Sequence, residues 1–331
     1  VTGIKSLDDA SRTVVFSVPT GHPPGGFASF TPKARTYLVW NVREGMAPGR
    51  WYLDRTNGRV AYQPLPGEDI GRLLIVAPVM ETVVSLEKGV RDVTLRGFTV
   101  TCTTTALVTG GFGAVNYSGA ISGTDIENCR FDRLTVENVG GWAFKLSGRG
   151  NRITGGTIRN TGAGGVNAAS SPALVSGVTV MNTGLIYPSG IGIWGDKNSR
   201  IDRNSISGTS YSAIVCGGDS TIIERNRISN VMRVLSDGGA IYITFCRHSL
   251  IRDNLVTGHR LEGNAHAYYM DEQADSCVVE QNISIGLAWP SHNHMTRNCT
   301  IRDNVFVTGG RQMISFPRTK NLSFERNIIV A

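Results

Sequence analysis

The chain has 331 residues, of which 40 are glycine and only 12 proline, and charged residues make up 18%. No apolar run approaches the roughly 18 residues of a membrane span. The six cysteines, Cys102, Cys129, Cys216, Cys246, Cys277 and Cys299, show no metal-ligand spacing and are expected to be small buried hydrophobes. The 33 basic and 26 acidic residues give +7, which suits an acidic partner, but the basic residues are scattered, which argues against nucleic acid.

Residues 1–88 read as short antiparallel strands: VVFSV, TYLVWNV, RWYLD, RVAYQPL and LLIVAPVM, with TNG at 56–58 as a hairpin turn. The expectation is a β-sandwich-like module at 1–88, followed by a second domain at 89–331. The chain opens at Val1 with no visible signal peptide, so a mature or truncated form is expected.

From about residue 90 one phrase returns: IENCRF, IDRNSI, IERNRI, IRDNLV, VEQNIS, IRDNVF and FERNII. Its asparagines are Asn128, Asn204, Asn226, Asn254, Asn282, Asn304 and Asn327, and from Asn204 the intervals are 22, 28, 28, 22 and 23 residues. No segment carries a 3.6-residue apolar stripe, which excludes a helical solenoid. Short β-branched runs repeated at this period predict an all-β fold, a right-handed parallel β-helix of about ten coils. The repeated asparagine is expected at a turn, bonded to its neighbours above and below.

Residues at equal offset from the ladder should stack on one face. Counting back ten gives Trp194, Cys216, Thr244 and His294, and counting back eleven gives Asp271 and Phe316. Coils in which Gly155 and Gly177 replace asparagine add Lys145 and Asn167. A column of mixed residue types suggests a groove for a polar ligand. The longest insertions, SNVMRVLSDGGAIY and TGHRLEGNAHAYYMDEQAD, bring Asp237, Glu262, His266, Tyr269, Asp271 and Glu272 to that edge. Carboxylates on neighbouring coils would stand at separations used by glycosidases. Each residue also has a plainer reading: Asp237 before Gly-Gly as a turn residue, Asp271 and Glu272 as solvated strand ends, Trp194 as a cover for a coil edge. His266, His292 and His294 lack zinc spacing, so no metal is assigned.

The segments PGRWYLDRTNGRVAYQP (48–64), SDGGAIY (236–242) and AYYMDEQAD (267–275) resemble bacterial β-helix glycosidases. These are the β-xylosidase-type glycoside hydrolase family 120 and the α-fucosidase and xylanase family 141. Arg50 stands where that family has glutamate, and Ala61 and Tyr62 occupy its aromatic pair. The resemblance implies two catalytic carboxylates, at Asp237 and Asp271. Glu272 stands in the second acidic place of the latter motif, and Glu262 is a further candidate.

The reading is a secreted or periplasmic bacterial glycoside hydrolase acting on a plant or microbial oligo- or polysaccharide, without cofactor. Trp194, Tyr242, His266, Tyr269, His294 and Lys145 are its expected sugar-binding residues. The alternatives are a polysaccharide lyase on a uronate glycan, with calcium, and a non-catalytic glycan-binding β-helix. For a lyase, Lys145, Arg233 or His266 would be the base.

Overall fold

The computed structural model describes residues 2–20, 37–170, 172–258, 265–308 and 314–330. Val1–Pro19 with Pro78–Ala331 form one compact unit and Thr20–Ala77 another. The first solenoid strand, Val84–Leu86, therefore lies ahead of residue 89. No described helix is long and apolar enough to cross a membrane.

The larger unit is a parallel solenoid of three ten-stranded sheets. Each coil runs through sheet I (from Val84–Leu86 to Ile314–Ser315), sheet II (Thr94–Arg96 to Ser323–Glu325) and sheet III (Thr99–Thr103 to Ile328–Val330). Strands of three residues suffice because every inward position stacks on its like. On sheet II, Ile201, Ile223, Ile251, Val279 and Ile301 pair in register and are at most 1% exposed. Each such burial contributes at most about 1.5–3 kcal/mol. Tyr268, 1% exposed, pairs with the small Ser291 of the next coil. Its hydroxyl is satisfied by the carbonyls of Asn254 (3.0 Å) and Ile283 (2.9 Å).

The asparagine ladder forms as expected from Asn204 onward. The backbone N–H and the side-chain Nδ2 of Asn226 both donate to Asn254 Oδ1, at 3.0 and 2.9 Å. Asn254 does the same to Asn282. Nδ2 of each also donates to a carbonyl of the preceding coil, Ile201 for Asn226 and Ile223 for Asn254. The ladder thus satisfies the turn groups that no sheet pairs. Just ahead of it each coil places one residue in the left-handed region, for example Arg203 (φ 56°), Arg225 (55°) and Asp253 (56°).

Two assignments are corrected. Phe131 pairs through Ile153 and Val175 with Ile201, so Leu134 occupies the ladder position of its coil. Asn128 instead lies in the preceding turn, where its N–H donates to Arg149. Gly155 and Gly177 (φ 59° and 67°) hold the left-handed place, one residue before the ladder. Glycine suits that place because it has no Cβ to strain.

Two small antiparallel sheets lie toward the amino terminus: Ile4–Asp8 with Thr13–Phe16, and Trp51–Asp54 with Arg59–Tyr62. In the second, Asp54 Oδ1 accepts from the N–H groups of Thr56 and Asn57, and Gly58 (φ 62°) closes the expected turn. Residues 37–42 of TYLVWNV, and LLIVAPVM, are not strands. Asn41 turns left-handed (φ 58°), and its amide alone bridges to the backbone of Leu53. Pro78 lacks a donor. All six cysteines are free, and all but Cys102 are buried.

Candidate functional site

Sheet I carries the mixed column, in a register one or two residues away from the counted one. Lys145, Asn167 and Trp194 pair as expected, but the column continues through Val215, Tyr242, Tyr269, His292 and Ser315. Cys216 pairs with Gly195 and Ile243 and points into the core, where burial pushes its thiol up to about 12. A one-residue slip exchanges the two faces of a strand. Thr244, Asp271 and His294 follow the paired Ile243, Met270 and Asn293, so they form a second outward column two residues further on.

These two columns converge on Asp271, whose side chain is 13% exposed. The Tyr242 hydroxyl donates to its Oδ2 at 2.7 Å, and His294 Nδ1 stands 2.8 Å from its Oδ1. Burial first, then the charge of Asp271, raises the Tyr242 and Tyr269 hydroxyl pKa values well above the ordinary tyrosine range. Both phenols therefore keep their protons and act as donors.

Aromatic rings surround this carboxylate. Tyr269 meets Tyr242 edge-on at 4.9 Å and His292 at 4.6 Å. His266 stacks on His292 at 4.6 Å and meets Trp289 edge-on at 5.4 Å. Only 3% exposed, His266 has an unpartnered Nδ1, and burial, with His292 beside it, lowers its pKa to about 3. Burial also lowers that of His292, against the opposing charges of Asp271 and Asp237. His292 Nδ1 contacts Ser315 Oγ.

Asp237 stands at the rim of the same cluster. Its carboxylate is exposed, its φ is 61°, and its charge acts on Tyr211, Tyr269 and His292. The Tyr211 hydroxyl donates to the Asp237 carbonyl at 2.7 Å. The two glycines that follow permit close packing. A Cβ on Gly238 would stand 2.9 Å from Tyr211 Cε2, and one on Gly239 would stand 3.0 Å from the Tyr269 Cβ. The motif thus brings Asp237 against the next coil.

Among the other expected residues, Glu272 is exposed at the turn, where its carbonyl accepts from Phe245 N–H and Thr244 Oγ1. Glu262 lies outside the described residues. Lys145 is not presented to the groove: its Nζ donates to the carbonyls of Val115 (2.8 Å) and Tyr117 (3.0 Å). Trp194 lies three rungs from Tyr269, against Phe112. His292, Tyr211 and Trp289 were not among the expected binding residues. The spacing His292-x-His294 on one strand was the available signal, since alternate residues share a face.

No group of three or more His, Cys, Asp or Glu among the described residues is placed to hold a metal. A recess of about 370 Å³ opens beside Ala265, lined by Asn230, Arg233, Thr257 and Leu287. It does not include Asp271; the carboxylate cluster lies along the open face of sheet I.

Residues 115–283 and 189–331 match the family described as a right handed beta helix region. No curated protein matches the chain. Among solved structures, a glycoside hydrolase aligns with a TM-score of 0.62 at 16% identity, over 96% of this chain and 65% of its own. The chain thus spans about two thirds of that protein's length. The Streptococcus pneumoniae surface protein and adhesin PfbA aligns at 0.43 and 12% identity, over 77% and 83%. A family 136 lacto-N-biosidase from Eubacterium ramulus aligns at 0.38 and 12%, over 81% and 64%. At such identities the likeness is one of fold.

Proposed function

The chain belongs to the right-handed β-helix family, and from that fold together with the Asp271 cluster we propose that it is a glycoside hydrolase using Asp237 and Asp271. The observation that carries the proposal is a half-buried carboxylate held by Tyr242 and His294, ringed by aromatic faces, with a second carboxylate at its rim. Aromatic rings suit the apolar face of a sugar ring. Held by donors as an acceptor, Asp271 is the base that activates water or the nucleophile that attacks the anomeric carbon. Asp237, exposed at the groove edge, is the acid that gives its proton to the departing glycosidic oxygen. Tyr269, His266 and His294 shape the sugar site. The motif resemblance extends the proposal to a secreted or periplasmic enzyme of β-xylosidase or α-fucosidase and xylanase type.

The lyase reading requires a cation beside a uronate. Lys145 is committed to two carbonyls, His266 is uncharged at neutral pH, and Arg233 lines the separate recess that does not include Asp271, so a neutral sugar fits better. Chelator-sensitive formation of unsaturated product on acidic glycans would overturn the hydrolase.

The direct test uses aryl glycosides of graded leaving-group ability. Asp271→Asn should lower kcat/KM by about 10³-fold or more for every substrate. Asp237→Asn should spare substrates with good leaving groups and cripple those with poor ones. Variants that both remain within twofold of the parent would sink the assignment.

A further inference from the structure

Phe112 poses a physical problem: a large apolar ring, 55% exposed, is held rigidly in solvent. Its loop, residues 108–117, is tied by five side-chain hydrogen bonds. The Tyr117 hydroxyl donates to Val108 O (2.6 Å) and Asn116 Nδ2 to Thr109 O (2.9 Å). From sheet I, Trp142 Nε1 donates to Ala114 O (2.8 Å), and Lys145 Nζ reaches Val115 O and Tyr117 O. Two of the four tethering side chains, Trp142 and Tyr117, are at most 2% exposed. A loop anchored this firmly could have turned its phenylalanine inward.

It presents the ring to sheet I instead. Phe112 meets Trp194 edge-on at 5.7 Å and Tyr211 edge-on at 6.4 Å. Next to it, Gly113 (φ 59°) lies so close to the indole that a Cβ there would stand 2.5 Å from Trp194 Cζ3. Tyr211 continues the track, because its hydroxyl is bonded to the Asp237 carbonyl. Between Trp194 and Tyr242 the column holds Val215, 1% exposed; beyond it Tyr242 is partly exposed and packs on the buried Tyr269. Three rungs separate Trp194 from Tyr269, about 14 Å at the spacing of paired strands.

We propose that Phe112 and Trp194 form a distal sugar-stacking platform, so that the ligand is a neutral oligosaccharide lying along sheet I from the Asp237 and Asp271 pair to this platform. The inference rests on the hydrolase reading for the position of the scissile bond, but the platform itself is a binding feature. The Tyr211 hydroxyl bond to Asp237 ties it to the same groove, and the Lys145 ammonium that reaches the loop from sheet I is engaged by two loop carbonyls, which suits an uncharged ring. Stacking of this kind favours longer chains by adding contacts that a short one cannot reach.

The test measures binding by calorimetry in the Asp271→Asn background, using xylo-, cello- and manno-oligosaccharides of two to six units. Adding Phe112→Ala should weaken the six-unit member of the bound series by about tenfold and the two-unit member far less. Phe112→Tyr should restore the longer ligand, which a merely structural role would not predict. Equal affinities at every length, or no binding of any of these sugars, would overturn the platform. A length-dependent loss in a protein whose parent turns over no glycoside would keep the platform and remove the hydrolase. Turnover with length-independent binding would do the reverse.

Discussion

Two columns of the solenoid, separated by one strand in each coil, are built on opposite rules. At the ladder, Asn204, Asn226, Asn254, Asn282, Asn304 and Asn327 repeat one residue type, and each makes the same bonds as the next. On sheet I, Asn167, Trp194, Val215, Tyr242, Tyr269 and His292 pair in register yet span five residue types, from an aliphatic side chain to an amide, an indole, two phenols and an imidazole. Identical backbone spacing therefore does not require identical side chains. Where the column satisfies turn groups, asparagine repeats; on sheet I, where side chains meet one another, as Tyr242 meets Asp271, the residue type varies.

The comparison is most severely tested at Asn254, which is 1% exposed. Asn254→Ala should remove the shared acceptor of the Asn226 N–H and Nδ2 and the side-chain donor to the Ile223 carbonyl, and cost about 3–5 kcal/mol. Denaturant unfolding should register this, while the residual folded protein keeps its kcat. A cost below about 1 kcal/mol would mean that the ladder is ornamental.

The next effect concerns His266 and pH. Its folded pKa of about 3 lies below the ordinary histidine value of 6.5, so above pH 6.5 both folded and unfolded states are neutral and stability is intact. As pH falls from 6.5 toward 3, the unfolded state takes up the proton and the folded state does not. Stability should drop by up to about 1.4 kcal/mol per pH unit from this group. His266→Phe should flatten that slope in denaturant titrations between pH 6.5 and 4; an unchanged slope would show that His266 is charged in the fold.

The smallest effect is expected at Tyr242→Phe, which removes one donor from Asp271 and leaves the ring. We expect kcat/KM to fall about tenfold, with the stability of the solenoid nearly unchanged. If stability falls and activity does not, the face obeys the ladder's rule after all.

The β-helix was legible because a period near 22 with inward Ile and Val admits one economical arrangement. Asp237 and Asp271 were visible through their motifs, and the structure brings both to one aromatic cluster. Counting back from the ladder placed Cys216 and Thr244 in the wrong positions. The loops between ladder and sheet differ in length, so a fixed offset slips by a residue or two, and at a period of two a single residue reverses the face. Lys145 was in the right column, but its Nζ reaches the carbonyls of a loop about 30 residues earlier in the chain. Nothing local to Lys145 signals that partner.

What the sequence determined by itself is the coil: its period, its inward apolar positions and the asparagine turn, all of which depend on residues a few places apart. Only the tertiary structure decided which outward side chains meet. The gathering of Tyr242, Asp271 and His294, and the seating of Phe112 on Trp194, depend on strand register and loop closure. Both are set by hydrogen bonds between coils, across separations that no local pattern encodes.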